Sequence, residues 1–70
     1  MSMSDKIRHI LLERKMTIKE LSEKMGCESY ILYNKLKRDR FTEQELKEIA
    51  AALNCGYDGI FTFLDTGKKI

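Results

Sequence analysis

Residues 17–29 read TIKELSEKMGCES, and they are the part of the chain most informative about its fold. Thr17 and Glu20 have the spacing of a capping box, in which each side chain accepts a hydrogen bond from the other residue's backbone N–H at the start of a helix. Leu21 and Met25 lie one helical turn apart and predict the buried face of that helix. A second helical pattern follows almost at once, so the stretch predicts two helices in immediate succession.

The turn between these two helices is short and contains Gly26. Glycine adopts the left-handed conformation that ends helices at little cost, so Gly26 predicts the end of the first helix of the pair. Either Glu28 or Ser29 caps the next helix, whose buried positions are Leu32 and Leu36. Helices joined by so tight a turn cross at a steep angle, which makes the second project outward while the first supports it.

One further helix is predicted on each side of this pair. The first runs from about Asp5 to Arg14, with Ser4 as its N-cap. The fourth begins at Thr42, because Thr42 and Glu45 repeat the capping-box spacing. Both helices carry an apolar face with helical spacing, formed by Ile7, Ile10 and Leu11 in the first and by Leu46, Ile49, Ala50 and Leu53 in the fourth.

The end of the chain has no helical periodicity. Residues 60–64, IFTFL, are mostly β-branched or aromatic and predict a strand. The sequence indicates no second strand beside it, so this strand either packs on its own domain as an extended arm or pairs with the same strand of a second copy. We expect the second arrangement, with a dimer interface formed by Ile60, Phe61, Phe63 and Leu64.

Together these elements predict a compact all-α domain of four helices in which the second and third form a helix-turn-helix. This domain is expected over residues 1–56, and the C-terminal strand or arm over residues 57–70. A chain of 70 residues is long enough for one domain and too short to bury a large core.

Composition excludes several classes of protein. The chain has one histidine and two cysteines without a CxxC motif, and it has no glycine-rich phosphate loop. We therefore expect no enzyme, no metal, no cofactor and no small-molecule ligand. The start of the chain is polar and no apolar run approaches the ~20 residues that cross a bilayer. We therefore expect a cytoplasmic protein with reduced thiols and no membrane partner.

The net charge of +2 is only mildly basic, but the cations are unevenly distributed. Four of the six residues from 35 to 40 are cations, and only Asp39 opposes them. A local basic patch on a balanced surface suits contact with phosphates, although a solvated loop has the same charge pattern. The four cations are Lys35, Lys37, Arg38 and Arg40.

The outward face of the third helix carries side chains suited to the major groove of B-form DNA, where each base pair presents a distinct set of donors and acceptors. Asn34 can make paired hydrogen bonds to adenine, and Ser29 can donate or accept. Tyr30 and Tyr33 can reach bases or phosphates, and Ile31 can contact a thymine methyl group. The alternative is that the tyrosines and Asn34 are ordinary surface residues.

The helix-turn-helix stretch resembles the signature T-x-x-x-L-A-x-x-x-G-V-S of the Cro/repressor family, also described as lambda-repressor-like or XRE-like. Residues 49–55, IAAALNC, resemble the closing pattern I-A-x-A-L-x-V of that family, and the resemblance covers roughly residues 5–55. The sequence departs from the family pattern at Ile18, Ser22, Cys27 and Glu28.

The resemblance implies a lambda-repressor-like DNA-binding domain that acts as a sequence-specific transcriptional repressor. It implies that the third helix reads double-stranded DNA, and that a homodimer binds an inverted-repeat operator. The residues implied to read bases are Ser29, Tyr30 and Asn34, with Tyr33 beside them. The residues implied to contact phosphates are Thr17, Lys19, Lys35, Lys37, Arg38 and Arg40.

Two alternatives remain open. The fold can serve as a protein–protein module, such as an antitoxin or an adaptor, which the mild net charge, Ile18 and Glu28 favour. It can also serve as a non-specific DNA binder, which would show no preferred sequence. Binding through several phosphates weakens steeply as salt rises, so salt dependence separates DNA binding from the protein–protein module.

Overall fold

The computed structural model describes residues 2–70 as four helices followed by a small antiparallel sheet. The expected four-helix architecture with an extended C-terminal element is confirmed. No helix within residues 2–70 has the length and apolar character needed to cross a membrane. The elements are α1 (Met3–Arg14), α2 (Ile18–Met25), α3 (Ser29–Arg38), α4 (Glu43–Ala52), β1 (Cys55–Tyr57) and β2 (Phe61–Phe63).

Helices α2 and α4 begin as the sequence predicts. Thr17 caps α2, Thr42 caps α4, and both capping boxes are complete. In α2 the backbone nitrogen of Glu20 lies 3.1 Å from the Thr17 hydroxyl, and the Thr17 nitrogen lies 3.1 Å from the Glu20 carboxylate. Gly26 ends α2 in the left-handed conformation with φ at 73°, which lets the chain turn directly into α3.

The start of α1 differs from the prediction. The helix begins at Met3, and its N-cap is Ser2, whose hydroxyl accepts a hydrogen bond of 3.1 Å from the Asp5 N–H. Ser4, predicted as the N-cap, instead lies in the first turn, where it is 3% exposed and donates its hydroxyl proton to the carbonyl of Leu36. Ser2 and Ser4 are both suitable N-cap residues in sequence. They are distinguished by the hydrogen bond from the Ser4 hydroxyl to the Leu36 carbonyl, 32 positions away.

One apolar core joins the four helices to the sheet. The predicted apolar faces of α1, α3 and α4 are buried in it, and Met25 of α2 packs against it while partly exposed. Ser22 is also buried, and its hydroxyl donates to the Lys19 carbonyl at 2.7 Å, so its polar group is satisfied within α2. The core residues are Ile7, Ile10, Leu11, Leu21, Leu32, Leu36, Leu46, Ile49, Ala50, Leu53, Cys55, Phe61 and Phe63.

Strands β1 and β2 form an antiparallel hairpin, so the expectation that the C-terminal strand has no partner within its own chain is wrong. Cys55 lies opposite Phe63, and Tyr57 lies opposite Phe61. β1 was missed because it has only three residues and a glycine at its centre, a composition that is unfavourable for strands. Its pairing with β2 turns the side chains of both phenylalanines into the core.

The last residues of the chain run along the other edge of β2. Phe61 and Ile70 exchange backbone hydrogen bonds of 3.1 and 2.9 Å, and the Phe63 N–H donates to the Lys68 carbonyl at 2.8 Å. Because β1 lies along one edge and residues 67–70 along the other, β2 packs on its own domain. Pairing of β2 with a second copy, the arrangement expected from the sequence, would require one of these segments to be displaced.

Arg14 joins α1 to the hairpin. Its guanidinium donates to the carbonyls of Leu53 and Asn54, each at 3.0 Å, and makes a two-bond contact of 2.8 and 2.9 Å with the Asp65 carboxylate. The same group lies 4.2 Å from the centre of the Phe63 ring. The guanidinium therefore satisfies carbonyls at the end of α4 and holds the pKa of Asp65 below its ordinary value.

Candidate nucleic-acid interface

The outer surface of α3 is a ridge formed by Tyr30, Asn34 and Lys37, which we call the α3 ridge. The spacing i, i+4, i+7 places these side chains on one face of the helix, opposite the buried Leu32 and Leu36. All three ridge residues are exposed, and Tyr30 has 63% of its surface open to solvent. The ridge therefore projects from the domain as the helix-turn-helix pattern predicts.

A shallow groove of about 360 Å³ lies on the α2 side of the ridge, and we call it the α2-side groove. It contains three predicted base readers, Ser29, Tyr30 and Tyr33, beside the predicted phosphate contact Lys19. Thr17 lies one residue before α2, where its hydroxyl is occupied by Glu20. The groove is lined by Ile18, Lys19, Ser29, Tyr30 and Tyr33.

A second depression of about 290 Å³ lies on the opposite side of the ridge, and we call it the α4-side groove. Three of its five lining residues are cations, so the groove brings together three of the four cations of the predicted basic run, while Lys37 lies on the ridge. This groove is lined by Ile31, Asn34, Lys35, Arg38 and Arg40.

The three cations of the α4-side groove differ in their surroundings. Lys35 is ion-paired with Glu45, a residue of α4 that also accepts a 2.8 Å hydrogen bond from the Thr42 N–H. The pKa of Glu45 lies below its ordinary value, mainly because of the hydrogen-bonded Lys35 ammonium and secondly because of the hydrogen bond from the Thr42 N–H. Arg38 and Arg40 have no ion-pair partner within residues 2–70. These two arginines are therefore the freer cations of the groove, while Lys35 also ties α3 to α4.

Glu28 occupies the N-cap position of α3 without a side-chain capping hydrogen bond. Of the two capping residues considered from the sequence, Glu28 therefore holds the position but does not use its carboxylate there. The side chain is exposed beside Ser29, the first residue of α3.

The four predicted dimerisation residues fall into two groups. Phe61 and Phe63 are 0% and 3% exposed and belong to the core of the single chain. Ile60 and Leu64 are 42% and 66% exposed, so they are the two that leave apolar surface open to solvent. The hairpin therefore separates residues that the sequence pattern grouped together.

Sequence reasoning missed two contacts between helices near the site residues. One is the pairing of Lys35 with Glu45, ten residues apart, where Glu45 was recognised only as part of a capping box. The other joins Ser4 to the C-terminal end of α3, through Asp39 and the Leu36 carbonyl. No local pattern signals either contact, because both depend on how separate helices pack.

An α2–turn–α3 unit with an exposed ridge between two grooves defines a helix-turn-helix domain. A family model described as a Cro/C1-type HTH DNA-binding domain matches residues 6–65, and the chain belongs to this family. The resemblance to the Cro/repressor family is thereby confirmed, and membership identifies a DNA-binding regulator whose partner is double-stranded DNA. The comparisons found no matching curated protein and no matching solved structure.

Proposed function

We propose that the protein is a sequence-specific transcriptional repressor that places α3 in the major groove of an inverted-repeat operator. The observation that carries this proposal is the exposed α3 ridge with a groove on each side. The major groove of B-form DNA is about 12 Å wide and admits one helix. A ridge that enters it brings the flanking surfaces toward the two phosphate backbones.

The ridge supplies groups that can read base edges. The Asn34 amide carries both a donor and an acceptor, which match the N6 amine and the N7 atom of adenine. Tyr30 lies one turn nearer the start of α3, the end that meets bases first in helix-turn-helix complexes. With Ser29 at the first position of the helix, these residues form the proposed base-reading set.

The two grooves supply the proposed phosphate contacts. Arg38 and Arg40 lie in the α4-side groove without ion-pair partners in residues 2–70, so their charges are available to a phosphate. On the other side, Lys19 lies in the first turn of α2, where the helix dipole also favours an anion. Tyr33 lines this groove beside Lys19, which supports a contact of its hydroxyl with the DNA backbone as well as with a base.

We further propose that two copies bind together, because one domain contacts few base pairs and two copies read two half-sites about 34 Å apart. The exposed Ile60 and Leu64 are the proposed contact between copies, with Phe61 and Phe63 supporting them from the core. A Leu64→Asp variant should stay folded but lose dimerisation at micromolar concentration in sedimentation experiments. A variant that remained fully dimeric would remove this surface from the proposal.

The experiment that tests the function is selection from a random duplex library with the purified protein at moderate salt. We expect an enriched inverted repeat with half-sites about one helical turn apart. Binding to that duplex should weaken steeply between about 50 and 200 mM salt, because each phosphate contact releases counterions. Salt-sensitive binding without enrichment would indicate a non-specific DNA binder.

A second candidate is a protein–protein module, which the α2-side groove favours. Its lining has one cation, Lys19, beside the apolar Ile18 and two exposed tyrosines. A surface of this composition also suits a protein partner. No enrichment together with absent or salt-insensitive DNA binding would make this module the better description.

A further inference from the structure

We propose that Ser4 and Asp39 are positioning residues that hold the C-terminal end of α3 against the N-terminal end of α1. Through this contact they fix Arg38 and Arg40 at the α4-side groove. The inference rests on the proposed DNA-binding function, because the phosphate contacts of these arginines are what the contact would position.

Two hydrogen bonds connect the helix ends. The Ser4 N–H donates to a carboxylate oxygen of Asp39 at 2.8 Å, across 35 positions of sequence. The Ser4 hydroxyl donates to the Leu36 carbonyl, across 32 positions. Ser4 is 3% exposed, so both bonds involve a residue that is shielded from water.

Ser4 satisfies backbone groups at both helix ends. The first N–H groups of a helix and its last carbonyls have no partner within the helix. The N–H of Ser4, in the first turn of α1, has no partner within that helix and donates to Asp39. The Leu36 carbonyl, in the last turn of α3, accepts from the Asp39 N–H and also from the Ser4 hydroxyl. The positive end of the α1 dipole also faces the Asp39 carboxylate, a favourable arrangement.

The backbone of Asp39 ends α3. Its φ of 56° is left-handed, and its N–H bonds the carbonyls of Leu36 and Lys35. Arg40 follows with an N–H that donates to the Lys35 carbonyl at 3.4 Å. Asp39 thus sits between the two arginines at the point where the chain leaves the helix, so holding its side chain constrains both neighbours.

The contact also engages the one negatively charged side chain within the basic run, residues 35–40. Asp39 is the single acidic residue from 35 to 40, and in the structure its carboxylate is bound to α1. A carboxylate released from Ser4 would be free to pair with Arg38 or Arg40, since both are adjacent in sequence. Such pairing would compete with a phosphate for their charge.

Two substitutions at one position separate the contact from the charge. Asp39→Asn removes the charge but keeps an oxygen that can accept from the Ser4 N–H, and asparagine tolerates the left-handed conformation. Asp39→Ala removes both the charge and the acceptor. Asp65→Ala is the matched control, because it breaks the Arg14 contact and weakens the fold away from the α3 ridge.

The measurement is the dependence of binding on salt for the duplex obtained by selection, at a temperature where circular dichroism shows every variant folded. We expect Asp39→Asn to keep the slope of the unsubstituted protein and to bind as tightly or more tightly. Asp39→Ala should bind more weakly than Asp39→Asn and lose about one unit of slope, the value of one phosphate contact. Asp65→Ala should keep the slope.

Equal slopes and affinities for Asp39→Ala and Asp39→Asn would overturn this inference and leave the proposed function intact. Absence of DNA binding by the unsubstituted protein would overturn both. If Asp39→Ala does not fold, Ser4→Ala provides the comparison, since it removes the hydroxyl bond to Leu36 but keeps the backbone bond to Asp39. Ser4→Ala should then show a smaller loss of slope, and an unchanged slope and affinity would overturn the inference.

Discussion

Two pairs of aromatic residues, one on α3 and one on β2, have opposite surroundings. Tyr30 and Tyr33 are 63% and 52% exposed, whereas Phe61 and Phe63 are 0% and 3% exposed. A tyrosine keeps a hydroxyl that can bond a partner outside the protein, while a buried phenylalanine contributes by removing apolar surface from water. The difference separates residues available for recognition from residues that maintain the fold.

The arginines follow the same division. Arg14 is bound to two carbonyls and a carboxylate and lies over an aromatic ring. Arg38 and Arg40 make no ion pair within residues 2–70. Substitutions in the hairpin should therefore change stability, and substitutions on the α3 face should change DNA binding while the fold persists.

The largest expected effect is on stability, from Phe61→Ala. Removing a fully buried phenylalanine leaves a cavity and typically costs about 3–5 kcal/mol. At about 0.05–0.15 kcal/mol per residue, a domain of 70 residues has a total stability of about 3.5–10 kcal/mol, so the variant should lose a large share of it. Urea denaturation followed by circular dichroism measures the change in the free energy of unfolding.

Leu64→Ala is the matched control for that experiment. Leu64 is 66% exposed in the single chain, so at concentrations too low for two copies to associate its truncation should change the free energy of unfolding by no more than about 0.5 kcal/mol. Equal destabilisation by the two substitutions would contradict the division between the buried Phe61 of β2 and the exposed Leu64 that follows this strand.

A smaller effect, on DNA recognition rather than on stability, is expected from Asn34→Ala. The variant should keep its stability within about 0.5 kcal/mol, because Asn34 is exposed. It should lose about 1–3 kcal/mol of discrimination at one base pair of the selected duplex. Competition binding with single-base variants of that duplex measures the loss.

Gln44→Ala provides the control for Asn34→Ala, since it removes an exposed amide from α4 rather than from the α3 ridge. The control should keep full discrimination. A uniform loss of affinity for every duplex in Asn34→Ala, without a change in preference, would reassign Asn34 from base reading to phosphate contact.

The sequence predicted the features that depend on neighbouring residues. The starts of α2 and α4 follow from Thr17 with Glu20 and from Thr42 with Glu45, because a capping box lies within four residues. The buried faces of the helices follow from periodicity, and the exposed position of Asn34 follows from the same spacing.

Features that depend on packing between distant segments were not predictable in this way. Ser4 looks like an N-cap in sequence, and its partners at 36 and 39 become visible only in the fold. Phe61 and Phe63 were expected at an interface between two copies and instead lie in the core of the single chain, because an alternating apolar pattern shows that one face is buried but not against what. The partner of that strand, β1, is too short to give a pattern of its own.

The smallest expected effect concerns the pH dependence of the hairpin contact. Arg14 lowers the pKa of Asp65 below its ordinary value of 3.8, so the folded state binds this proton more weakly than the unfolded chain does. The contribution of the Arg14–Asp65 ion pair to stability is therefore fully present well above pH 3.8. It is lost as the pH falls through the lowered pKa that Asp65 has in the folded state. Thermal melts of the natural protein should therefore lose stability in this acidic range.

Asp65→Asn isolates that contribution, because other carboxylates with lowered pKa values, such as Glu13 and Glu45, titrate in the same range. The difference in melting temperature between the natural protein and Asp65→Asn should be constant at neutral pH and should narrow as the pH falls below 3.8. A difference that stayed constant to pH 2 would show that Arg14 acts on the hairpin through its carbonyl and ring contacts alone. Since those contacts do not titrate, the acidic range is where the ion pair can be separated from the packing around it.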